Sequence, residues 1–169
     1  MASSWWLMNA DWIEASQKRL DFFTYQDVRL ERILEEVQQR AKEKGFPVFP
    51  IKIRMIKSFV RVGFDGEARY PDDKPNFNLI YISGCFVHDY TDDHLRILIA
   101  HEVGHIIDGR SKRAGCPIFS KIACLASEEF ADFVSGCLYS KDMFLKAAEE
   151  CGYKGESLKR IRNLDISIA

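Results

Sequence analysis

Between Leu95 and Ile107 the chain is apolar around nearly the whole circumference of a helix, and the exceptions that matter are His101, Glu102 and His105. A helix with so little polar face belongs in a protein interior. Thr91 offers a hydroxyl to cap it, Asp92 and Asp93 put negative charge in the first turn, and Gly109 closes it. The spacing predicts a helix from Asp92 to Asp108. Its two imidazoles, four residues apart, project from one face with about 5 to 6 Å between Cβ atoms. Burying them unpartnered beside a carboxylate would be costly, and a shared divalent ion removes that cost.

Zinc suits this pair, because it is borderline soft, takes imidazole nitrogen at ~2.0 to 2.1 Å and polarises water without redox chemistry. One Zn2+ per chain is the expectation. Glu102 lies beside such an ion and not on it, where it can take a proton from zinc-bound water and deliver it to a leaving amine. A catalytic zinc needs a third protein ligand and an open fourth position. Downstream runs Glu128-Glu129-Phe130-Ala131-Asp132. If helical, this stretch presents Glu128 and Asp132 on one face, one turn apart, with Glu129 about 100° away and solvated. Glu128 is then the expected third ligand, and Asp132 the acceptor for the distal N–H of a ligand histidine, His101 first. Asp108, three residues after His105, competes for the third position, although its place on the same helix would strain a three-point geometry.

The rest of the chain supplies the frame. Its 169 residues suit a single domain, 1–169, able to bury a core, and 47% hydrophobic with 29% charged residues is a globular mix. Val28, Ile33, Leu34, Val37 and Ala41 share a face in a stretch that begins at Thr24 and is closed by Gly45 and Pro47, predicting a surface helix of about five turns. A shorter helix is expected over Asp11 to Phe23. Ile51, Ile53 and Met55 then alternate with polar residues, and Phe59 to Phe64 and Asn78 to Ser83 read as further strands. Asp65-Gly66 reads as a turn and Pro71 to Asn76 as a loop. Helices are expected from about Ile122 to Tyr139 and from Lys141 to Cys151. The fold class is therefore α+β: a small mixed sheet with an N-terminal helix, the histidine helix and a downstream glutamate helix.

Charge and cysteines bound the partners. Lys plus Arg total 24 against 25 Asp plus Glu, leaving no positive excess to neutralise a phosphate backbone, so nucleic acid is not an expected partner. No apolar run reaches the roughly 18 residues of a membrane span. Met1 to Ala10 lacks the basic start and sustained apolar core of a secretion signal. Five cysteines (Cys85, Cys116, Cys124, Cys137 and Cys151) without a C-x-x-C pair fit a reducing, cytoplasmic setting as small buried hydrophobes.

Thr91 to Ile106 resembles the active-site helix of gluzincin peptidases of the HtpX type, and Glu128 to Asp132 resembles their glutamate helix. In size the chain is similar to the minigluzincins, small relatives without membrane helices; the likeness covers about Phe77 to Ser140, with Asn78 to Ser83 in place of the strand that lines the cleft. It implies a zincin-like domain and a zinc-dependent endopeptidase whose peptide or protein substrate lies extended along a sheet edge. It also implies a terminal segment, here Lys159 to Ala169, that can block the cleft and restrain activity. The short gap between His105 and Glu128 is similar as well to ImmA/IrrE-type regulatory metalloproteases, the alternative family. An inactive zinc-binding regulatory module is the non-enzymatic alternative. Gluzincins commonly add a His, Tyr or Arg that steadies the oxyanion; Tyr139, Tyr153 and Arg162 are within reach in sequence.

Overall fold

The structure, a computed structural model, describes residues 23–57, 65–111 and 125–166. The fold is α+β, with six helices and a four-stranded mixed sheet among the described residues. A two-residue strand β1 (Thr24–Tyr25) leads into α1 (Val28–Glu43), followed by β2 (Lys52–Ile56), β3 (Gly66–Arg69) and β4 (Leu79–Ser83). Then come α2 (Gly84–Asp89), α3 (Asp92–Ser111), α4 (Ser127–Tyr139), α5 (Lys141–Glu150) and α6 (Glu156–Asn163).

The apolar spacing of α1 is realised as a buried face of Ile33, Leu34, Val37 and Ala41, but Val28, expected on that face, is 81% exposed in the first turn and Leu30 is buried instead. The helix begins at Val28 and not at Thr24, because the Asp27 carboxylate accepts from the Leu30 N–H at 3.0 Å and so caps the first turn. The sheet order is β1-β2-β4-β3: β2 and β4 run parallel at its centre, and β1 and β3 pair antiparallel with them and are the edges among the described residues. All of β4 is buried, as a central strand covered on both faces must be.

Helix α3 passes between the sheet and the remaining helices. Asp92 at its start accepts from Arg29 Nε and Arg32 Nη2, each at 2.6 Å, and Arg96 pairs with Glu36, so α1 is tied to α3 at two levels. On its other side α3 meets α4 at Gly104. A Cβ built there would lie 2.8 Å from the Ala131 Cα, a backbone atom that cannot swing aside. The helices therefore approach closely, and Ser135 Oγ donates to the Ile97 carbonyl across the same seam at 3.1 Å. Gly104→Val, which adds bulk with almost no gain in helix propensity, is expected to destabilise by about 1–3 kcal/mol and lower the unfolding midpoint. An unchanged midpoint in thermal unfolding would show that the seam is loose.

Some sequence expectations shift. Asp65-Gly66 does not form a simple turn, since Gly66 opens β3, and α2 and α6 were not foreseen. The expected helix over Asp11 to Phe23 and the strand over Phe59 to Phe64 lie outside the described residues, as do the first residues of the helix expected from Ile122. Pro71 to Asn76 is a loop, as expected, and α5 stops one residue short of Cys151. Among the described residues, no helix is long and apolar enough to cross a membrane.

Candidate metal centre and active site

The packing of α3 against α4 brings His101, His105 and Glu128 to one point. His101 Nε2 and His105 Nε2 are 3.1 Å apart, and the two Glu128 oxygens lie 3.4 Å from the first and 3.3 Å from the second. Among the described residues these three form the group of potential ligands that could hold an ion. A tetrahedral ion bound at ~2.0 to 2.1 Å spaces its ligands by about 3.3 to 3.4 Å, so the donor set fits zinc in spacing as well as in type. Asp108 is not part of this group.

The outer nitrogens are held as well. His101 Nδ1 faces Asp132 Oδ1 at 2.9 Å and His105 Nδ1 faces Ser127 Oγ at 3.1 Å. A carboxylate only accepts, so His101 carries a proton on Nδ1, and it is Nε2 that faces the centre. Asp132 is 1% exposed, and its second oxygen accepts from Arg160 Nε at 2.5 Å. Arg160, on α6, also places Nη2 3.8 Å from Glu128 Oε2.

The cluster favours positive charge at its centre. Burial works against an imidazolium at His101, but hydrogen bonds to Asp132 and Glu128 and the nearby Glu102 outweigh it and raise the pKa to about 9. The hydrogen bond with His101 pulls Glu128 the other way, to about 2, helped against burial by the charges of His101, His105 and Arg160. Burial and the charge on His101 together lower His105. A dication meets the same demand for positive charge.

Glu102, 5% exposed, sits beside this centre against β3. The Asp65 carbonyl accepts from the Ser83 N–H, so Asp65, Glu67 and Arg69 turn their backbone groups toward β4, and Gly66 and Ala68 turn theirs outward. The Ala68 N–H donates to the Glu102 carboxylate. Burial raises the Glu102 pKa to about 7, with Glu128 and Glu67 adding to it and His101 and the Ala68 N–H opposing. That value lies where a general base works best. Gly66 leaves room for the group: a Cβ there would come within 3.1 Å of Glu102 Oε1.

These side chains open into a cleft of about 750 Å³, floored by α3 and flanked by β3 on one side and α4 and α6 on the other. Its lining also has an apolar share, from Phe86, Leu98, Phe144, Ala147 and Ala148. Of the three groups in sequence reach of an oxyanion, only Tyr153 lines the cleft; the Tyr139 hydroxyl donates to Glu36, and Arg162 pairs with Glu149. Glu129, expected to be solvated, turns back to accept from the Ala126 N–H at 3.2 Å. His88 is exposed, and His94 is held by Glu150 at 2.6 Å. Sequence reasoning missed Arg160, whose only signal was a basic residue on a short amphipathic run. The chain matches no protein-family model, and no curated protein or solved structure is significantly similar to it.

Proposed function

We propose that the protein is a zinc-dependent endopeptidase of the gluzincin kind, holding one Zn2+ through His101, His105 and Glu128 and hydrolysing peptide bonds with Glu102 as general base. The observation that carries this reading is the convergence of the two histidine Nε2 atoms, 3.1 Å apart, on the Glu128 carboxylate, one oxygen of which lies 3.4 Å from His101 and the other 3.3 Å from His105, with a buried carboxylate beside them in an open cleft. Three protein ligands leave a fourth tetrahedral position for solvent, which separates catalytic zinc sites from closed structural ones. The resemblance of the α3 and α4 motifs to gluzincins points the same way.

Bound zinc supplies Lewis acidity, lowering the pKa of water and polarising a carbonyl oxygen. The chain's own groups do the rest. A peptide laid antiparallel on the outward edge of β3 would find the Gly66 backbone groups and the Ala68 carbonyl, the Ala68 N–H being taken by Glu102, and its own carbonyl would lie near the histidines. One neighbouring side chain enters the apolar part of the cleft, so peptides with an apolar residue beside the scissile bond are the favoured class. Glu102 takes a proton on its carboxylate from the attacking water and passes it to the departing amine. Asp132 keeps His101 in the Nδ1–H tautomer throughout. A cytoplasmic setting belongs to the same proposal.

The direct test measures zinc content and hydrolysis of a peptide library together. One zinc per chain is expected, with cleavage lost on chelation and regained when zinc is restored. Purified protein that takes up no zinc, or that takes it up and cleaves nothing, would sink the reading; the second result would instead favour a zinc-binding regulatory module.

A further inference from the structure

We propose that Arg160 is a positioning residue that couples docking of helix α6 to occupancy of the metal site. The proposal rests on the metal reading above. It starts from a placement the function does not require: a cation from the last helix reaches both carboxylates that back the centre. Its Nε lies 2.5 Å from Asp132 Oδ2 and its Nη2 3.8 Å from Glu128 Oε2.

Asp132 is buried, and its two oxygens divide between His101 and Arg160. Without Arg160, no other hydrogen bond from the described residues is seen at Oδ2, and a buried acceptor left unpaired shifts to find a donor. A shift of Asp132 turns His101, whose Nε2 is one of the three ligand atoms. Glu128 is similarly exposed to loosening, because its side chain is 58% accessible on the first turn of α4 and is held by the two imidazoles and by Arg160.

Helix α6 depends on these contacts in return. Eight residues make a marginal helix in water, and α6 follows a turn in which Gly152 and Gly155 take φ of +81° and +62°. Ile161 is its one buried residue. The Arg160 contacts thus join the Arg162–Glu149 pair and the packing of Leu158 in seating the helix, and among the described residues they alone tie it by polar contacts to the residues around the histidines. Because coupling is reciprocal, whatever factor α6 docking adds to zinc affinity, zinc adds to docking.

The test uses the full chain with zinc as the probe. Zinc affinity is measured by competition with a chromogenic chelator for the wild type, Arg160→Lys and Arg160→Met, and amide hydrogen exchange over residues 152–163 is followed with and without zinc. Both substitutions are expected to weaken zinc binding about 10- to 100-fold, since lysine keeps the charge but not the fork. Zinc is expected to slow exchange of the 152–163 amides in the wild type and to have little effect on them in Arg160→Met. A non-additive loss with Asp132→Asn would place both residues on one path.

Unchanged affinity in both variants overturns the proposal. So does tighter binding by Arg160→Met with wild-type binding by Arg160→Lys, which would mean that only charge matters. Wild-type exchange indifferent to zinc overturns it without any variant, even if the substitutions impair folding. In all three cases zinc binding by the wild type leaves the functional reading standing; wild-type protein that binds no zinc removes both.

Discussion

Glu102→Gln is expected to reduce peptide hydrolysis by about 10²- to 10⁴-fold while zinc content stays at one per chain. The range is what general acid–base catalysis contributes, and Glu102 is the group placed to supply it. Glutamine keeps the shape of the side chain, and its amide oxygen can still accept from the Ala68 N–H, so the cleft wall is preserved. A buried amide also costs less than a buried carboxylate, so the unfolding midpoint should hold or rise. Cleavage of the peptide library at the wild-type rate, with zinc bound, would remove Glu102 from the mechanism.

Glu128→Ala is expected to have the larger effect on the metal and a small one on the fold. Its side chain is 58% exposed, so truncation buries nothing unpaired and opens no core cavity. On the proposed reading it removes one of three ligands. Loss of a supporting partner outside the ligand set typically weakens metal binding 10- to 100-fold, so loss of a ligand is expected to exceed about 100-fold. In the metal-free cluster the hydrogen bond with His101 holds the Glu128 carboxyl down to about 2, so the side chain is already ionised at neutral pH. Asp108→Ala is the matched control, expected to leave zinc affinity unchanged. The reverse pattern, with zinc retained in Glu128→Ala and lost in Asp108→Ala, would reassign the third ligand.

Sequence alone reached the two helices that build the centre because their signals are local. The apolar run around His101 and His105 sets both helicity and burial, and the one-turn spacing of Glu128 and Asp132 puts them on a common face at any helix length. The rest depends on partners distant in the chain. Gly66–Arg69 contains no β-branched residue, and it is a strand because β4 offers it a ladder, not through its own propensity. Arg160 sits 28 residues from Asp132 on a helix rich in charge, where a basic side chain reads as solvated until the tertiary contact is seen. The class of fold was legible from the alternation of periods. The edge strand that carries the Glu102 contact was not.

The missing side chain at Gly104 has a consequence for how the centre comes into being. In an unfolded chain the two histidines offer at best a transient pair, with the third donor 23 residues beyond His105. Only when α4 settles against the bare backbone at position 104 do all three donors face one another. An ion that recognises the finished arrangement and not its parts acts as a late clamp, adding RT ln(1 + [Zn]/Kd) to the native state alone. Zinc concentration in the cell would then set not just how many molecules work, but how long each survives unfolding.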